Sequence, residues 1–262
     1  MNIQVGAGGA ALPGFLNVDI RKVAGVDLIG DASDLSSIAD GTVDVLFGHA
    51  LFEHLFIGHH LAALREWKRV LSPSGAIIVL ALPDFSVIAD LYLKGAAGIV
   101  GDRFDLHNVY RYTHGEPEHA TPPVWPVWRA KNGDAPPGWI PQLHKGLFDP
   151  GYVRDLLTEC ELPGVIFNYA YPGEDHPLNL GFIAHSMQRT SADRESILTE
   201  LGRIPHIETF MRAETLIIRE PHTRQDGLVR LAKALATQRA PSLPDRIVRR
   251  LSRVFSPASA HP

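Results

Sequence analysis

Cysteine, long apolar runs and excess charge are all scarce in this chain of 262 residues. The single cysteine, Cys160, excludes an internal disulfide and favours a reducing, cytoplasmic setting. No apolar run approaches the roughly 20 residues of a membrane span, and the first residues lack a secretory signal pattern. The formal net charge of −4 gives no reason to expect a nucleic-acid partner. We therefore expect a soluble cytoplasmic protein that binds no nucleic acid.

The strongest functional signal is the N-terminal stretch IQVGAGGAALPGFLNVDI, at residues 3–20. A short β-branched strand there ends at three glycines: Gly6, Gly8 and Gly9. Glycines let the backbone turn sharply and leave room for a ligand against the main chain. A second predicted strand, at residues 15–18, ends on Asp19, whose carboxylate can accept hydrogen bonds from both hydroxyls of a ribose. The stretch predicts a nucleoside site.

Dinucleotide binding is an alternative, because Gly6, Gly8 and Ala11 also satisfy the G-x-G-x-x-G/A spacing. A dinucleotide needs a helix after the glycines, with its N-terminus towards the diphosphate, and an acidic residue about 20 positions further on. Here the sequence at 12–14, Leu-Pro-Gly, interrupts any helix, and the acid comes early. A ligand without a diphosphate suits the stretch better.

The same residues resemble the class I S-adenosylmethionine-dependent methyltransferases, in particular a small, type 11-like branch with the motif G-x-G-G…L-P-G-F/W-x-N-V-D. "IGDASDL" resembles the adenine-binding turn of that family, and "VDVLFGHALFEHL" resembles its fourth strand with the entry to the next helix. "LREWKRVLSPSGAIIVLALPD" resembles the helix, turn and fifth strand that follow. The similarity covers residues 3–84 in order and, more faintly, "LHKGLFDPGYVRDLLTEC".

The resemblance implies S-adenosylmethionine as cofactor, with S-adenosylhomocysteine as product. It implies that the glycines lie under the methionine part, Asp19 binds the ribose and Asp31 with Ala32 contacts the adenine, with Asp34 as a substitute for Asp31. His49 would flank the sulfonium. The complete set of implied cofactor residues is Gly6, Ala7, Gly8, Gly9, Asp19, Ile20, Asp31, Ala32 and His49.

Strands and helical stretches alternate through the first half, which predicts an α/β fold with a mostly parallel sheet. Together with the resemblance, this indicates a Rossmann-like, doubly wound sheet of seven strands with an antiparallel last strand. An apolar stripe at residues 61–71 predicts a crossover helix, and Ser72–Gly75 a turn before a strand at 76–82. Further helices are expected at 87–94 and 150–160. Ligands bind at the carboxyl ends of such strands, where four side chains should converge: Asp19, Asp31, His49 and Asp84.

Residues 101–146 have a different character, with seven prolines between Pro117 and Pro141, an eighth just after at Pro150, and three of the four tryptophans. Long loops in compact domains are often lids, and aromatic residues argue against disorder. We interpret this segment as a cover that binds the methyl acceptor. Methyl transfer needs no covalent nucleophile, but a base assists a hydroxyl acceptor. The candidate catalytic histidines are His144, His54 and His107, with His114 as a further candidate.

His144 comes first among these candidates, because "LHKGLF" resembles a position near the acceptor in related enzymes. The histidine spacings match no known zinc motif, so the sequence predicts no metal site.

The C-terminal part carries an excess of positive charge, with eight basic and two acidic residues after residue 220. We expect one methyltransferase domain over residues 1–190, with the insertion at 101–146, and a helical extension over 191–262. Its last helix, at 244–255, is basic and amphipathic. It would lie on an anionic membrane surface, or pack on the domain or a partner subunit. The sequence does not predict the oligomeric state.

The predicted function is methyl transfer from S-adenosylmethionine to a small molecule, at oxygen. Relatives with this first motif resemble enzymes of sugar and cell-surface polysaccharide modification, which implies a saccharide hydroxyl as substrate. The alternatives are a binding or regulatory module that has lost turnover, and a nicotinamide-dependent oxidoreductase.

Overall fold

One mixed β-sheet organises the computed structural model, which describes residues 1–96, 104, 109, 113, 143–187 and 192–219. Within these residues the sheet has eight strands, in the order β3-β2-β1-β4-β5-β7-β6-β8. The strands are β1 Asn2–Val5, β2 Leu16–Asp19, β3 Leu28–Ile29, β4 Val43–His49, β5 Leu71–Pro83, β6 Gly164–Tyr169, β7 Asn179–His185 and β8 Ile217–Ile218.

Strands β1 to β5 run parallel to one another, whereas β7 is antiparallel to both β5 and β6. The prediction of a Rossmann-like sheet with an antiparallel last strand is therefore confirmed, with β7 as that strand. The structure adds an eighth strand, because Ile217 and Ile218 pair with Asn168 and Phe167 at the edge of the sheet. A pair of apolar residues is too short for its periodicity to indicate a strand.

Helices cover both faces of the sheet, which is the doubly wound arrangement that the sequence predicted. The helices of the described residues are α1 His60–Val70, α2 Phe85–Lys94, α3 Pro150–Glu159 and α4 Arg194–Leu201. Helix α1 buries Leu64 and Trp67 on one face together with Leu156 of α3. Helix α4 buries Ile197 and Leu201 on the other face. No helix in these described ranges is long and apolar enough to cross a membrane.

Residues 72–75 were predicted to form a turn between the helix and the next strand. This prediction is wrong, because β5 already begins at Leu71. Leu71 pairs with Val43 and Ala76 pairs with Val45, so four residues of β5 stand opposite one residue of β4. An insertion of this kind is a β-bulge, which bends one strand while the pairing resumes beyond it. The bend that the sequence indicated is real, but it lies inside the strand.

Residues 192–219 were expected to be mostly helical, yet beyond α4 they form short 3₁₀ turns and β8. Helix α4 and β8 both pack on the sheet. The division of the chain at residue 190 stays a prediction. Most of the expected lid at 101–146 and the whole basic helix at 244–255 lie outside the described residues.

Candidate cofactor and acceptor site

The turn after β1 requires glycine at two positions. Gly6 has a φ angle of +68° and Gly8 one of +54°, in the left-handed region that favours glycine. A Cβ atom on Gly6 would also lie 2.7 Å from Cδ1 of Leu51. At Gly9, in contrast, a Cβ atom would meet no atom within 4 Å. The turn is thus closely packed at its start and open above Gly9.

Ala7 holds this turn against the neighbouring strand, because its N–H donates to the carbonyl of Val18 at 3.1 Å. Its side chain is buried, whereas Ile20, just after β2, is 56% exposed. Of these two predicted cofactor residues, only Ile20 has an accessible side chain.

Asp19 lies at the tip of β2 with its carboxylate turned towards the glycine turn. Its Oδ2 accepts a hydrogen bond from Gly8 N at 2.8 Å, and its Oδ1 accepts from Arg21 N at 2.8 Å and Arg21 Nε at 3.1 Å. Burial opposes ionisation, but the hydrogen bonds from Arg21 and Gly8 outweigh it and lower the pKa of Asp19. Asp19 is therefore an ionised acceptor beside the open part of the turn.

Two buried polar residues that the sequence interpretation missed, Gln4 and Asn17, shape the next part of the stretch. The backbone N–H of Leu12 donates to both Gln4 Oε1 and Asn17 Oδ1, each at 2.9 Å. Asn17 Nδ2 in turn donates to the carbonyls of Leu12 and Phe15 and to Asp27 Oδ2. The asparagine of the N-V-D motif thus fixes the loop between β1 and β2. In the sequence, the signal for this role was a polar residue inside an apolar strand.

Asn17→Ala is expected to lower the free energy of unfolding by about 3 kcal/mol, because buried carbonyls lose their donors. Chemical denaturation of both proteins measures this difference. S-adenosylhomocysteine affinity should fall with it, since the loop also carries Gly9. An unchanged denaturation midpoint would contradict the role of Asn17.

The predicted adenine turn follows β3. Asp31 is exposed, and its Oδ1 accepts from Ser33 N at 2.8 Å and Ser33 Oγ at 2.7 Å. Ala32 is buried, and its carbonyl accepts a 2.7 Å hydrogen bond from the indole N–H of the buried Trp67. Helix α1 thereby holds the turn at the edge of the sheet, while the predicted contact with adenine stays a prediction.

His49 ends β4 and faces Tyr171 on the loop after β6, with its Nε2 2.6 Å from the Tyr171 hydroxyl. Its ring also lies against Phe210, at 4.7 Å between ring centres. Burial lowers the pKa of His49 to about 4, so the ring is neutral at pH 7. The next residue, Ala50, has a φ angle of +47°, a strained conformation that is typical of functional sites.

Beyond β4, a 3₁₀ turn at Phe52–His54 brings Glu53 and His54 next to His144. The rings of His54 and His144 are 5.0 Å apart at their centres, and His54 Nε2 lies 3.9 Å from Glu53 Oε1. Two of the three predicted catalytic histidines therefore meet, and the structure adds Glu53. His107 and His114 lie outside the described residues.

Burial raises the pKa of Glu53 to about 8, so its carboxyl is mostly protonated at pH 7. Burial also lowers the pKa of His54; the nearby charges of Lys145 and Arg21 add to this effect, and a hydrogen bond to Leu143 opposes it. Glu53 and His54 are therefore largely uncharged, although the cationic groups of Lys145 and Arg21 are nearby.

Asp84 does not join this site, which corrects the expectation that it would. Its side chain is fully buried and caps α2 by accepting from Ser86 N at 2.9 Å. The other oxygen accepts from Asn168 Nδ2 at 2.9 Å. It stabilises the junction of β5, α2 and β6 instead.

A cavity of about 520 Å³ lies elsewhere, near α4, and is lined by residues that include Pro172, Leu198, Ile207, Met211 and Arg212. None of the predicted cofactor residues lines it. Its residues are therefore not part of the candidate site.

The residues around the glycine turn fit an adenosyl group with an attached amino acid. A carboxylate offers about four lone-pair positions, and three of those on Asp19 are in use. One of the three comes from the side chain of Arg21, which is 47% exposed. Two ribose hydroxyls can bind once the guanidinium leaves. No helix begins between Gly6 and Phe15, so a diphosphate lacks its usual partner there.

The match to a protein family agrees with this arrangement. A family model described as a methyltransferase domain matches residues 4–79. No curated protein matches the sequence. A solved SAM-dependent methyltransferase from Thermotoga maritima, described as a possible histamine N-methyltransferase, is 14% identical, with 71% of this chain and 82% of that chain covered and a TM-score of 0.43.

A SAM-dependent methyltransferase from Archaeoglobus fulgidus is likewise 14% identical, with 70% of this chain and 84% of that chain covered and a TM-score of 0.43. The family match spans β1 to most of β5, the part of the chain that carries the glycine turn and Asp19. Residues 4–79 are therefore similar to a methyltransferase domain, and they lie in a mixed sheet whose strand β7 is antiparallel.

Proposed function

We propose that the protein methylates an oxygen of a small molecule, and that a saccharide hydroxyl is the class of acceptor. The observation that carries this proposal is the position of Asp19, hydrogen-bonded to Gly8, at the same sheet edge as the polar cluster of Glu53, His54 and His144. The ionised carboxylate that would bind the ribose therefore lies at the same edge of the sheet as polar side chains that would contact the second substrate.

S-adenosylmethionine supplies a methyl group that its sulfonium activates for an in-line displacement. The residues of the chain contribute binding and alignment, which account for much of the catalysis in such a transfer. Gly6, Gly8 and Gly9 leave space along the backbone, and Asp19 orients the ribose. His54 and His144 are the side chains that would contact the acceptor hydroxyl.

The environment of His54 supports a hydroxyl as the acceptor group. A hydroxyl loses its proton during methylation, and a neutral imidazole is able to accept a hydrogen bond from it. The lowered pKa of His54 keeps the ring neutral at pH 7. Its Nδ1 lies 3.2 Å from the carbonyl of Leu143, an arrangement in which Nδ1 carries the proton and Nε2 accepts.

The proposal is tested by transfer of a radiolabelled methyl group from S-adenosylmethionine into monosaccharides, oligosaccharides and non-sugar alcohols. We expect labelled product in the saccharide set, with one S-adenosylhomocysteine formed for each methyl transferred, and at least about a 10-fold lower rate for His144→Ala. His206→Ala, which changes an exposed histidine far along the chain, serves as the control. Binding of S-adenosylhomocysteine without transfer to any hydroxyl would favour the regulatory module instead.

The oxidoreductase alternative has little structural support, because no helix begins at residues 6–15, directly after β1. A thermal-shift titration with NADH and with S-adenosylhomocysteine separates the two functions, since only a bound ligand raises the melting temperature. Contact of residues 244–255 with a membrane, and a cytoplasmic location, stay predictions from the sequence.

A further inference from the structure

Three side chains of the kinds that bind metals meet beside β4. One carboxylate oxygen of Glu53 and one ring nitrogen each of His54 and His144 all lie within 4.8 Å of one another. The carboxylate is buried, with 1% of the residue exposed, and both histidines are partly buried. This environment differs from that of surface acidic groups, which meet without binding an ion.

Glu53 gives a second, independent indication of a ligand. Its Oε2 is buried and has no hydrogen-bond partner in the part of the chain that the structure describes. Buried polar atoms nearly always have a partner, and a missing one often marks an ion or a water. A cation between Glu53 and the two histidines would satisfy this oxygen.

The backbone around the cluster holds the three side chains in place. Lys145 N donates to the carbonyl of Glu53 at 2.7 Å, and Lys145 Nζ donates to the carbonyl of His54 at 2.9 Å. These bonds join two segments about 90 residues apart, and they direct the ammonium of Lys145 towards carbonyls. His54 Nδ1 lies against the carbonyl of Leu143, the outer contact that usually orients a metal-binding histidine.

We propose that Glu53, His54 and His144 bind one divalent transition-metal ion, with Zn²⁺ as the best match to two imidazoles and one carboxylate. Ligands at about 2.0–2.2 Å from an ion are about 3–3.5 Å apart, so the three side chains would close by about 1–1.5 Å. A set of three protein ligands leaves a position open, as catalytic zinc sites do. With the ion bound, Nε2 of His54 would bind the metal, and the acceptor hydroxyl would occupy the open position instead of contacting the histidine directly. This part rests on the proposed function.

A zinc ion at this place would differ from the expectation of no metal site, because the three ligands are distant along the chain. Known zinc motifs depend on local spacing, whereas His144 follows His54 by 90 residues. Only the hydrogen bonds between residues 53–54 and 143–145 bring the ligands together.

The test is a calorimetric titration of the full-length, chelator-treated protein with Zn²⁺. We expect one ion per chain with a dissociation constant below about 10 μM. His54→Ala, His144→Ala and Glu53→Gln should each weaken the affinity by at least about 10-fold. The matched control is His206→Ala, which removes a histidine 3.7 Å from the carboxylate of Glu208 on the surface and should leave the affinity unchanged.

Co²⁺ gives a second readout, because its visible absorption reports the number and kind of ligands. The bands should appear on one equivalent of Co²⁺ and lose intensity in His144→Ala, with circular dichroism confirming that the variant is folded. Absence of stoichiometric Zn²⁺ binding, or binding that is equal in wild type, His54→Ala and His144→Ala, would overturn the proposal. S-adenosylhomocysteine binding by the metal-free protein is measured in parallel, so that loss of the metal site and failure of the proposed function are separate results.

Discussion

Asp19→Ala should weaken the binding of S-adenosylhomocysteine by on the order of 100-fold, because charge-assisted hydrogen bonds contribute about 1.5–3 kcal/mol each. The carboxylate is ionised, lies at the tip of β2 and already holds Gly8 N at 2.8 Å. Its loss removes the acceptor for the ribose hydroxyls and releases the glycine turn. Isothermal titration calorimetry with S-adenosylhomocysteine measures the difference.

Two further variants separate the loss of binding from a loss of structure. Asp19→Asn keeps the size of the side chain but removes its charge, and it should also bind weakly while its thermal unfolding stays close to that of wild type. Asp90→Ala removes an exposed carboxylate on α2 that pairs with Lys94, and it should bind normally. Undiminished uptake by Asp19→Ala, or none by the wild type, would refute the assignment of the ribose site.

Gly6→Ala is expected to destabilise the protein by about 3 kcal/mol and to abolish measurable cofactor binding. A left-handed conformation costs a non-glycine residue about 1–2 kcal/mol, and overpacking adds about 1–3 kcal/mol. Both effects apply here, since φ is +68° and the new Cβ would lie 2.7 Å from Leu51. For a domain of this size the melting temperature should fall by about 10 °C, as measured by calorimetry.

The control for this variant is Gly58→Ala, because a Cβ atom there meets nothing within 4 Å and the φ angle is not positive. It should leave both stability and binding unchanged. In the double variant Gly6→Ala, Leu51→Ala, the contacts with Cδ1 and Cγ of Leu51 are removed, whereas the Cβ of residue 51 still lies 2.9 Å away and the backbone strain remains. The double variant should therefore lose about 1–2 kcal/mol less free energy of unfolding than the sum of the losses in the two single variants. Equal stability of Gly6→Ala and wild type would show that the turn is not closely packed.

Much of the sheet could be predicted from the sequence because its central strands are buried on both faces. β5 has buried residues at every position from Gly75 to Pro83, and such a run is recognisable without a partner. β8, with two residues, has no pattern of its own. The bulge at Ser72–Gly75 was also hidden, because it depends on pairing with β4.

In the candidate site, too, a local motif indicated some residues, whereas other contacts could not be predicted from the sequence. Asp19 and Gly8 are 11 residues apart, so one local motif indicated both of them. The contact of Arg21 with Asp19 was not predicted, because the side chain lies there only through hydrogen-bond geometry. His49 and Tyr171 are 122 residues apart, and nothing local connects them.

By itself, the sequence determined the α/β class, the order of the strands along the chain, the glycine turn and the acid that follows it, since all of these depend on neighbouring residues. Only the tertiary structure decided which distant side chains meet: Glu53 with His54 and His144, His49 with Tyr171, and Asp84 with Asn168. The physical reason is that hydrogen bonds and burial between remote segments arise from sheet pairing and packing, which leave no periodic signal in the chain.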